Sequence, residues 1–244
     1  MPVSATTTPW RAGLVGRDTS LVRRAGGATM IFALGPPRGN ASRDGRLNEI
    51  TRALPESLSA VAHCNQVHGA RVHRLDQAGD SVIDVGDGDA LITTTPGVGV
   101  LVWTADCVPV LLSGPGVVAA VHSGWRGCAA DVVGVAVGEI QRTAGADPCN
   151  LSAALGPAVC GSCYQVGGEV SEALRPFDLD EGRWLDGDRV DLRGFLAARL
   201  EALGVPADQI EAVGGCTVES PVLASYRRDG EAAGRQWSMV FLDD

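Results

Sequence analysis

Residues Val100–Gly127, VLVWTADCVPVLLSGPGVVAAVHSGWRG, carry the pattern that decides the fold. The stretch contains three short apolar runs, each bounded by small, polar or turn-forming residues, and such runs are typical of buried strands. The second and third runs flank Ser113-Gly114-Pro115-Gly116, which predicts a hairpin. Cys107 and His122 then lie at strand ends, where a rigid scaffold commonly holds functional side chains. We therefore interpret this stretch as the place where the protein's chemistry occurs.

The composition is that of a globular protein with a sizeable core. Hydrophobic residues make up 45% of the 244 residues, so disorder over the whole chain is not expected. The formal charge of −9 and the pI of about 4.9 argue against nucleic acid or an anionic membrane as the main partner. All 20 basic residues are arginine, which excludes mechanisms that need a Schiff-base lysine or a P-loop lysine.

Nothing in the sequence predicts export or insertion into a membrane. No apolar run approaches the length needed to cross a bilayer, and residues 1–14 lack the charged-then-apolar order of a secretion signal. The seven cysteines follow no disulfide framework pattern, and we interpret them as reduced thiols. These features predict a cytoplasmic protein.

Outside the central stretch, strand and helix patterns alternate without a regular βα order. The predicted helices are 45–54, 128–142, 167–174 and 192–203, the last with Asp191 as its N-cap, and the predicted strands are 30–34, 61–75, 90–93, 151–155, 210–213, 222–225 and 236–242. The 61–75 segment reads as a strand pair or a bulged strand around Gly69, and 84–89 reads as a turn. No linker divides the chain, so we predict a single α/β or α+β domain over residues 1–244.

The sequence has four histidines, and two of them lie beside small residues at predicted strand ends. These two, His68 and His122, form a His-Cys-His set with Cys107. Three such ligands leave the fourth tetrahedral position of Zn²⁺ open to water or substrate, as catalytic zinc sites require. Two other interpretations stay open from the residues alone. The three side chains are ordinary core residues, or Cys107 and His122 are the nucleophile and base of a cysteine hydrolase.

Seven short segments occur in a recognisable order between about residues 61 and 242. They are Gln66–Gly69, Asp89-Ala90, Thr104–Leu111, His122–Gly127, Leu155–Pro157, Val166–Val170 and Ser225–Asp229. In sequence and in order they resemble the motifs of the YfiH-like family. This family is also described as laccase-domain or multicopper polyphenol oxidase-like proteins, and is now regarded as a family of purine nucleoside phosphorylases.

The resemblance implies a layered α/β/β/α fold with mixed sheets, similar to that of the cysteine deamidase toxins. It also implies that His68, Cys107 and His122 bind Zn²⁺ and form the catalytic centre. The implied activity is phosphorolysis of adenosine, inosine and methylthioadenosine to the free base and ribose 1-phosphate, with adenosine deamination as a second activity. Purine nucleosides and phosphate are therefore the expected partners.

Five further residues are candidates for contact with the substrate. Arg126, within the His122–Gly127 motif, is the best nearby cation for a phosphate oxyanion, because a guanidinium suits bidentate contact. The other four are Gln66 for the base, Asp106 for orienting a ligand, and Tyr226 and Arg227 for completing the pocket. Each candidate also has a purely structural interpretation. Arg126 forms a salt bridge, Gln66 is a surface residue and Asp106 caps a turn. Tyr226 and Arg227 belong to an exposed basic turn.

The description of the family as multicopper oxidase-like conflicts with the small number of histidines in this sequence. A blue-copper centre takes two histidines and one cysteine, which leaves only two histidines for three further coppers, so a four-copper laccase is not expected. The chain also lacks the H-x-E and P-C-x-x-C motifs of zinc nucleobase deaminases. Any deamination therefore uses other groups. The Cys160 and Cys163 pair lacks a βαβ context, and we interpret it as structural or incidental.

Residues 1–40 depart from the family pattern. Arg24–Thr29 and Phe32–Gly35 resemble only remnants of two segments that help to line the family's substrate site. A metal-binding interaction protein that has lost turnover is therefore a third alternative, beside the phosphorylase and the thiol hydrolase.

Overall fold

The computed structural model describes residues 8–15, 18–35, 47, 50, 52, 58–76 and 81–243. The described strands are β1 Arg11–Val15, β2 Asp18–Ala25, β3 Ala28–Ala33, β4 Ala60–Asn65, β5 Val72–Leu75, β6 Val82–Asp87, β7 Ala90–Thr93, β8 Val98–Thr104, β9 Val108–Gly114, β10 Val117–Ser123, β11 Ser152–Leu155, β12 Leu185–Asp186, β13 Arg189–Val190, β14 Ile210–Ala212 and β15 Gln236–Leu242. The described α-helices are α1 Trp125–Ala129, α2 Val132–Ala144, α3 Gly168–Leu174, α4 Leu192–Ala202 and α5 Tyr226–Asp229.

Two mixed sheets carry most of these strands. One has the order β1-β2-β3-β15-β8-β4-β6, and the other has the order β14-β11-β9-β10-β7-β5. The predicted hairpin is confirmed, because β9 and β10 pair antiparallel around the turn at Pro115-Gly116. The three apolar runs of the central stretch are thus β8 in the first sheet and β9 and β10 in the second.

Alternating side chains build a layered core. In β10, Val118 and Ala120 pack between the two sheets, whereas Val117, Ala119 and Val121 pack against a core that includes α2 and α4. On the outer face of the seven-stranded sheet, Leu101 and Trp237 join a core that includes Leu47 and Ile50, which are both helical. These are the layers of the expected α/β/β/α fold. Full burial of each large apolar side chain in these layers contributes roughly 1.5–3 kcal/mol to the free energy of folding.

Several element predictions are confirmed. The strands near 30–34, 90–93, 151–155, 210–213 and 236–242 are present, as are the helices near 167–174 and 192–203. The Asp191 side chain accepts hydrogen bonds from the backbone N–H groups of Arg193 and Gly194, as an N-cap does. The predicted helix over 45–54 lies mostly outside the described residues. Leu47, Ile50 and Arg52 are helical.

Four element predictions were wrong, and each error has a local cause. Residues 61–75 do not form a paired hairpin: β4 and β5 belong to different sheets, and the chain between them turns at His68, whose φ is 60°. Residues 84–87 are not a turn but the end of β6, which pairs in parallel with β4. The helix predicted over 128–142 is present as α2, and only its start was wrong: it begins at Val132, because Asp131 has a left-handed φ of 59°.

The fourth error is the strand predicted over 222–225. The Ala224 N–H donates to the side chain of Gln236 at 2.9 Å rather than to a neighbouring strand. Ser225 instead precedes α5 and caps it, because its hydroxyl accepts the Arg228 N–H at 3.2 Å. The apolar pattern reflects burial of a loop, not pairing. No helix in the described part of the chain is both long and apolar enough to traverse a bilayer.

Candidate active site

The structure brings His68, Cys107 and His122 together at one end of the stacked sheets. His68 lies in the turn after β4, Cys107 just before β9, and His122 near the end of β10. Their ligand atoms all lie within 4.8 Å of one another. Cys107 Sγ is 3.9 Å from His68 Nε2, and the two imidazole rings meet edge to face with centroids 4.8 Å apart.

Asp89 fixes the orientation of the His122 ring. Because β7 pairs antiparallel with β10, the residue before β7 lies beside His122, and the His122 N–H donates to the Asp89 carbonyl at 2.7 Å. The Asp89 Oδ1 atom also contacts His122 Nδ1 at 2.8 Å, fully buried. His122 Nε2 is therefore the ring nitrogen left for the cluster. A carboxylate that holds a histidine in this way is the usual support for a metal ligand.

The same carboxylate holds the turn that carries His68. It accepts the backbone N–H groups of His68 at 2.9 Å and Gly69 at 2.7 Å, with a longer contact to the Val67 N–H at 3.4 Å. These bonds stabilise the left-handed backbone of His68, a conformation that costs a non-glycine residue free energy. Asp89 thus positions two of the three cluster residues. The sequence pattern included Asp89 in a motif but assigned it no role, since only the pairing of β7 with β10 shows it.

The cluster strongly shifts the pKa values of its members. Burial alone would raise the pKa of the Cys107 thiol, but the contacts with His122 and His68 lower that pKa to about 6. Burial alone would lower the pKa of His122, but hydrogen bonds to Asp89 and Cys107 raise it to about 9. Without a metal, a thiolate and an imidazolium therefore face each other near neutral pH. The same cluster offers a deprotonated sulfur to a metal ion.

A cleft of about 850 Å³ opens over the cluster. Its described lining residues are Asn65, Gln66, His68, Trp103, Thr104, Ala105, Asp106, Cys107, His122, Tyr164, Tyr226, Arg227 and Arg235. This volume is in the range of pockets that bind drug-sized ligands. The lining combines aromatic faces with two guanidinium groups and the three ligand atoms, so it suits a molecule with both a flat ring and an anionic group.

Comparison with known proteins identifies the relatives of the chain. The family model described as multi-copper polyphenol oxidoreductase laccase matches residues 41–243. The chain belongs to this family. The resemblance inferred from the ordered motifs is therefore confirmed, and the match begins just after the divergent residues 1–40.

Relatives in this laccase family carry names for purine chemistry. A purine nucleoside phosphorylase of Deinococcus radiodurans is 37% identical over 212 residues, which cover 84% of this chain and 78% of that protein. The adenosine deaminase RL5 of an unknown prokaryotic organism is 34% identical and covers 81% of this chain and 80% of its own length.

Two solved structures share the fold. YlmD from Geobacillus stearothermophilus has a TM-score of 0.81 and 27% identity, and covers 97% of this chain and all of its own. The Bacillus licheniformis hypothetical protein YfiH has a TM-score of 0.83 with 24% identity, and covers 96% of this chain and 99% of its own. The predicted α/β fold with mixed sheets is confirmed by both matches.

The described residues do not offer the set of histidine ligands that the multicopper centre of a laccase requires. Two groups of potential metal ligands occur among the described residues, and neither includes His63 or His73. His73 Nε2 instead forms a hydrogen bond with the Asp87 carbonyl at 2.8 Å. The described part of the chain therefore assembles one His-Cys-His cluster and no further histidine cluster for additional coppers.

Four of the five predicted substrate contacts line the cleft of this laccase-family protein. Arg126 does not. Its side chain is exposed and lies over the Trp125 ring, 4.3 Å from the centroid. The guanidinium groups in the cleft belong to Arg227 and to Arg235, which the motifs did not include. Tyr164 was also missed, since nothing in the local pattern distinguishes it from a core residue.

Gln66 and Asp106 line the cleft but bond mainly to the protein. The Gln66 amide donates to the Trp103 carbonyl at 2.7 Å and accepts the Trp103 N–H at 2.8 Å, so it continues the pairing of β4 with β8. Asp106 accepts the Thr217 hydroxyl at 2.5 Å and the Arg227 N–H at 2.6 Å. Both residues therefore hold the walls of the cleft.

Replacing Asp106 with alanine is expected to destabilise the protein by about 3–5 kcal/mol. The change removes two hydrogen bonds to a buried carboxylate, each worth roughly 1.5–3 kcal/mol, and places alanine at a φ of 87° that aspartate tolerates better. Urea unfolding measures the loss. Asp106→Asn, which keeps one acceptor and tolerates the same φ, should lose clearly less. Equal losses for the two variants would contradict this role.

In metal-free protein, alkylation of Cys107 by iodoacetamide should reach half its maximal rate near pH 6. The thiolate is the reactive form, so a pKa lowered to about 6 moves the rise in rate to lower pH than for an ordinary thiol. Zn²⁺ should suppress the reaction. Mass spectrometry of the Cys107 peptide across pH, with and without the metal, measures both effects. A midpoint at the ordinary value of about 8.5 would show that the two imidazoles do not act on the sulfur.

Proposed function

We propose that the protein is a zinc-dependent purine nucleoside phosphorylase. The observation that carries this proposal is the position of the His68, Cys107 and His122 cluster in a cleft that also presents the guanidinium groups of Arg227 and Arg235. The names of the relatives support the same reaction. The proposed substrates are adenosine, inosine and methylthioadenosine, with inorganic phosphate as the second substrate.

The donor set fits Zn²⁺ with one open coordination position. Two imidazole nitrogens and one sulfur match the ligands of mixed catalytic zinc sites, and Asp89 supports His122 from behind. When bound there, Zn²⁺ supplies a Lewis acid that polarises a substrate oxygen. A single copper ion accepts the same two histidines and one cysteine, so the lack of further histidine ligands argues only against a multicopper centre, and the proposal of zinc rests on the Lewis-acid role at the open position.

Two arginines of the cleft support the proposal of phosphate as a substrate. Arg227 Nη2 donates to the Gln165 carbonyl at 2.8 Å, and its guanidinium lies over the Tyr164 ring at 5.0 Å. Arg235 Nη1 donates to the carbonyls of Ala233 and Gly234. These contacts orient each guanidinium while its other N–H groups have no hydrogen-bond partner among the described residues. Planar guanidinium groups bind phosphate oxygens in pairs, which suits an anionic nucleophile.

The aromatic side chains of the cleft suit the purine. Tyr164, Tyr226 and Trp103 line it, and Tyr226 is about half exposed. Thr104 also lines the cleft, and its buried hydroxyl has no hydrogen-bond partner among the described residues. In the reaction, a phosphate oxygen bonds to C1′ of the ribose while the bond from C1′ to the purine nitrogen breaks. The purine leaves with the electron pair and takes up a proton.

An assay of hypoxanthine release from inosine tests this proposal. Release is expected only when both phosphate and the metal are present, and it should stop after chelation and return with added Zn²⁺. Zinc binding without turnover would favour the interaction protein instead. Turnover that survives chelation but ends with alkylation of Cys107 would favour a thiol enzyme.

The expected effect of Arg235→Gln is an increase of about tenfold in the KM for phosphate. The change removes a charge-assisted contact with an anionic substrate at an exposed site, which limits its contribution. The KM for inosine should change much less. Steady-state kinetics with both substrates varied measures the two values. Arg126→Gln is the matched control, since that arginine lies outside the cleft lining, and an equal effect of both variants would contradict the assignment.

One observation favours a second candidate function. Cys107, His122 and Asp89 are arranged in series as a thiol, an imidazole and a carboxylate, and the Cys107 pKa is lowered to about 6. This is the arrangement of a cysteine hydrolase, in which the thiolate attacks a carbonyl carbon. The half-exposed His68 beside the sulfur distinguishes the two functions, because a hydrolase needs no second imidazole there. His68→Ala should end phosphorolysis but leave thiol hydrolysis largely intact.

Adenosine deamination is a further activity of the proposed site, and the name of the RL5 relative supports it. Deamination replaces the 6-amino group with oxygen from water and releases ammonia. Measurement of ammonia from adenosine without phosphate separates this reaction from phosphorolysis.

A further inference from the structure

A second group of metal-ligating side chains shares no residue with the first. The sulfur atoms of Cys160, Cys163 and Cys216 and a carboxylate oxygen of Glu219 all lie within 4.8 Å of one another. The sequence pattern offered only the Cys160 and Cys163 pair, which alone reads as incidental. The fold adds a third thiol and a carboxylate from a loop more than fifty residues further along the chain.

We propose that these four side chains bind a second Zn²⁺ ion at a structural site. Three sulfurs and one oxygen complete a tetrahedral shell, as closed structural zinc sites require. Zn–S bonds of about 2.3 Å place two sulfurs about 3.8 Å apart in such a shell. The Cys163 Sγ atom is already 3.7 Å from Glu219 Oε1, so small side-chain rotations suffice for the remaining donors.

The two loops that carry the ligands are joined before any metal binds. Ala158 and Cys216 form a parallel β-bridge, and the Thr217 N–H donates to the Ala158 carbonyl at 3.0 Å. The Cys160 N–H donates to Cys216 Sγ at 3.3 Å, which holds the two ligand loops together. Cys160 precedes and Cys163 ends one turn of 3₁₀ helix, Gly161–Cys163, at the two-residue spacing common in zinc sites. The site is therefore largely formed in advance.

Two arginines bind the backbone of the loops that carry this ligand set. Arg228 Nη1 donates to the carbonyls of Thr217 and Ser220, both at 2.7 Å, within the loop that carries Cys216 and Glu219. Arg189 donates to the Ser162 carbonyl, between the two cysteines of the first loop. With three thiolates and one carboxylate around a divalent ion the net charge is −2. The Arg228 guanidinium is already paired with the Asp229 carboxylate at 2.7 Å, so Arg189 is the nearby cation that reduces the cost of this charge.

The site supports the wall of the cleft without lining it. Thr217, next to Cys216, donates its hydroxyl to Asp106, and the Val159 N–H donates to the Asp106 carbonyl at 3.1 Å. Asp106 precedes Cys107, so both ligand loops hold the residue beside the first cluster. An ion here therefore contributes to folding and to the position of Cys107, and it contacts no substrate.

The zinc content of Cys107→Ser protein tests this proposal, because that change removes zinc from the first site and leaves only the second. Protein purified under reducing conditions should hold about one zinc per chain in this background and about none after Cys163→Ser is added. Cys149→Ser is the matched control, since this cysteine is exposed and outside both groups, and it should leave the content unchanged. Wild-type protein should hold about two. Absence of zinc from Cys107→Ser protein, or zinc that persists after Cys163→Ser, overturns the proposal.

Two further measurements test the second site without the Cys163→Ser variant, in case that variant fails to fold. In the Cys107→Ser background, Co²⁺ should give the intense near-ultraviolet absorption of several cobalt–thiolate bonds, and Glu219→Gln should weaken Co²⁺ binding while those bonds persist. Chelation should also lower the Tm of Cys107→Ser protein, because a structural ion contributes to folding. A purified protein that instead has two of its six remaining thiols joined as a disulfide, and takes up no metal, contradicts the proposal.

Discussion

Replacing Cys107 with serine is expected to remove the metal from the first site and to slow phosphorolysis of inosine by at least about 10³-fold. The change removes the only sulfur of the cluster, and loss of Lewis-acid stabilisation worth several kcal/mol corresponds to a factor of this size. Stability should change little, because the hydroxyl fits the space of the half-buried thiol. Steady-state rates and zinc content, measured on the same preparation, test both parts.

Cys149→Ser is the matched control for this change. It alters an exposed cysteine outside the cleft and should retain full activity and metal. If the Cys107→Ser protein kept even a tenth of the wild-type rate after its zinc was lost, the metal would not be the source of the activity.

Asp89→Asn is expected to weaken binding of Zn²⁺ at the first site by about 10- to 100-fold, with a fall in kcat/KM of similar size. The carboxylate accepts hydrogen bonds from His122 and from the His68 and Gly69 backbone, whereas an amide must turn one N–H group towards these donors. The same conflict should destabilise the protein by about 1–3 kcal/mol. Zinc titration with a competing chelator and urea unfolding measure the two losses.

A positioning role for Asp89 predicts more than a loss of stability. Excess Zn²⁺ should restore most of the activity of Asp89→Asn, because the ligands themselves are intact. Asp84→Asn, which changes an exposed carboxylate in β6, should behave as wild type. Failure of zinc to restore activity at a concentration that fills the site would show that Asp89 acts in the reaction itself.

The local sequence predicted the central strands because the buried residues of each strand form a run of consecutive apolar residues. The β-branched runs of β8, β9 and β10 and the Pro115-Gly116 turn leave little choice of structure over that stretch. The His-Cys-His cluster followed from residue type and motif order. The helix after Asp191 was equally clear, because its cap and its apolar spacing agree.

What the patterns missed depends on contacts between distant segments. The role of Asp89 appears only once β7 pairs with β10, and that of Cys216 only once its loop meets the Cys160 turn. Arg126 belongs to the His122–Gly127 motif yet lies outside the cleft lining, whereas Arg235 lines the cleft and belongs to no motif. Left-handed backbone at His68 and Asp131 broke two regular elements, and aspartate or histidine in a run gives no reliable signal of it.

Phosphorus NMR of the zinc-loaded protein with inosine and inorganic phosphate tests the central claim most directly. A new phosphomonoester signal from ribose 1-phosphate is expected to grow in step with the loss of inosine, and no such signal is expected with Cys107→Ser protein. Cleavage of inosine to free ribose without consumption of phosphate, or an undiminished signal from the Cys107→Ser protein, would contradict it.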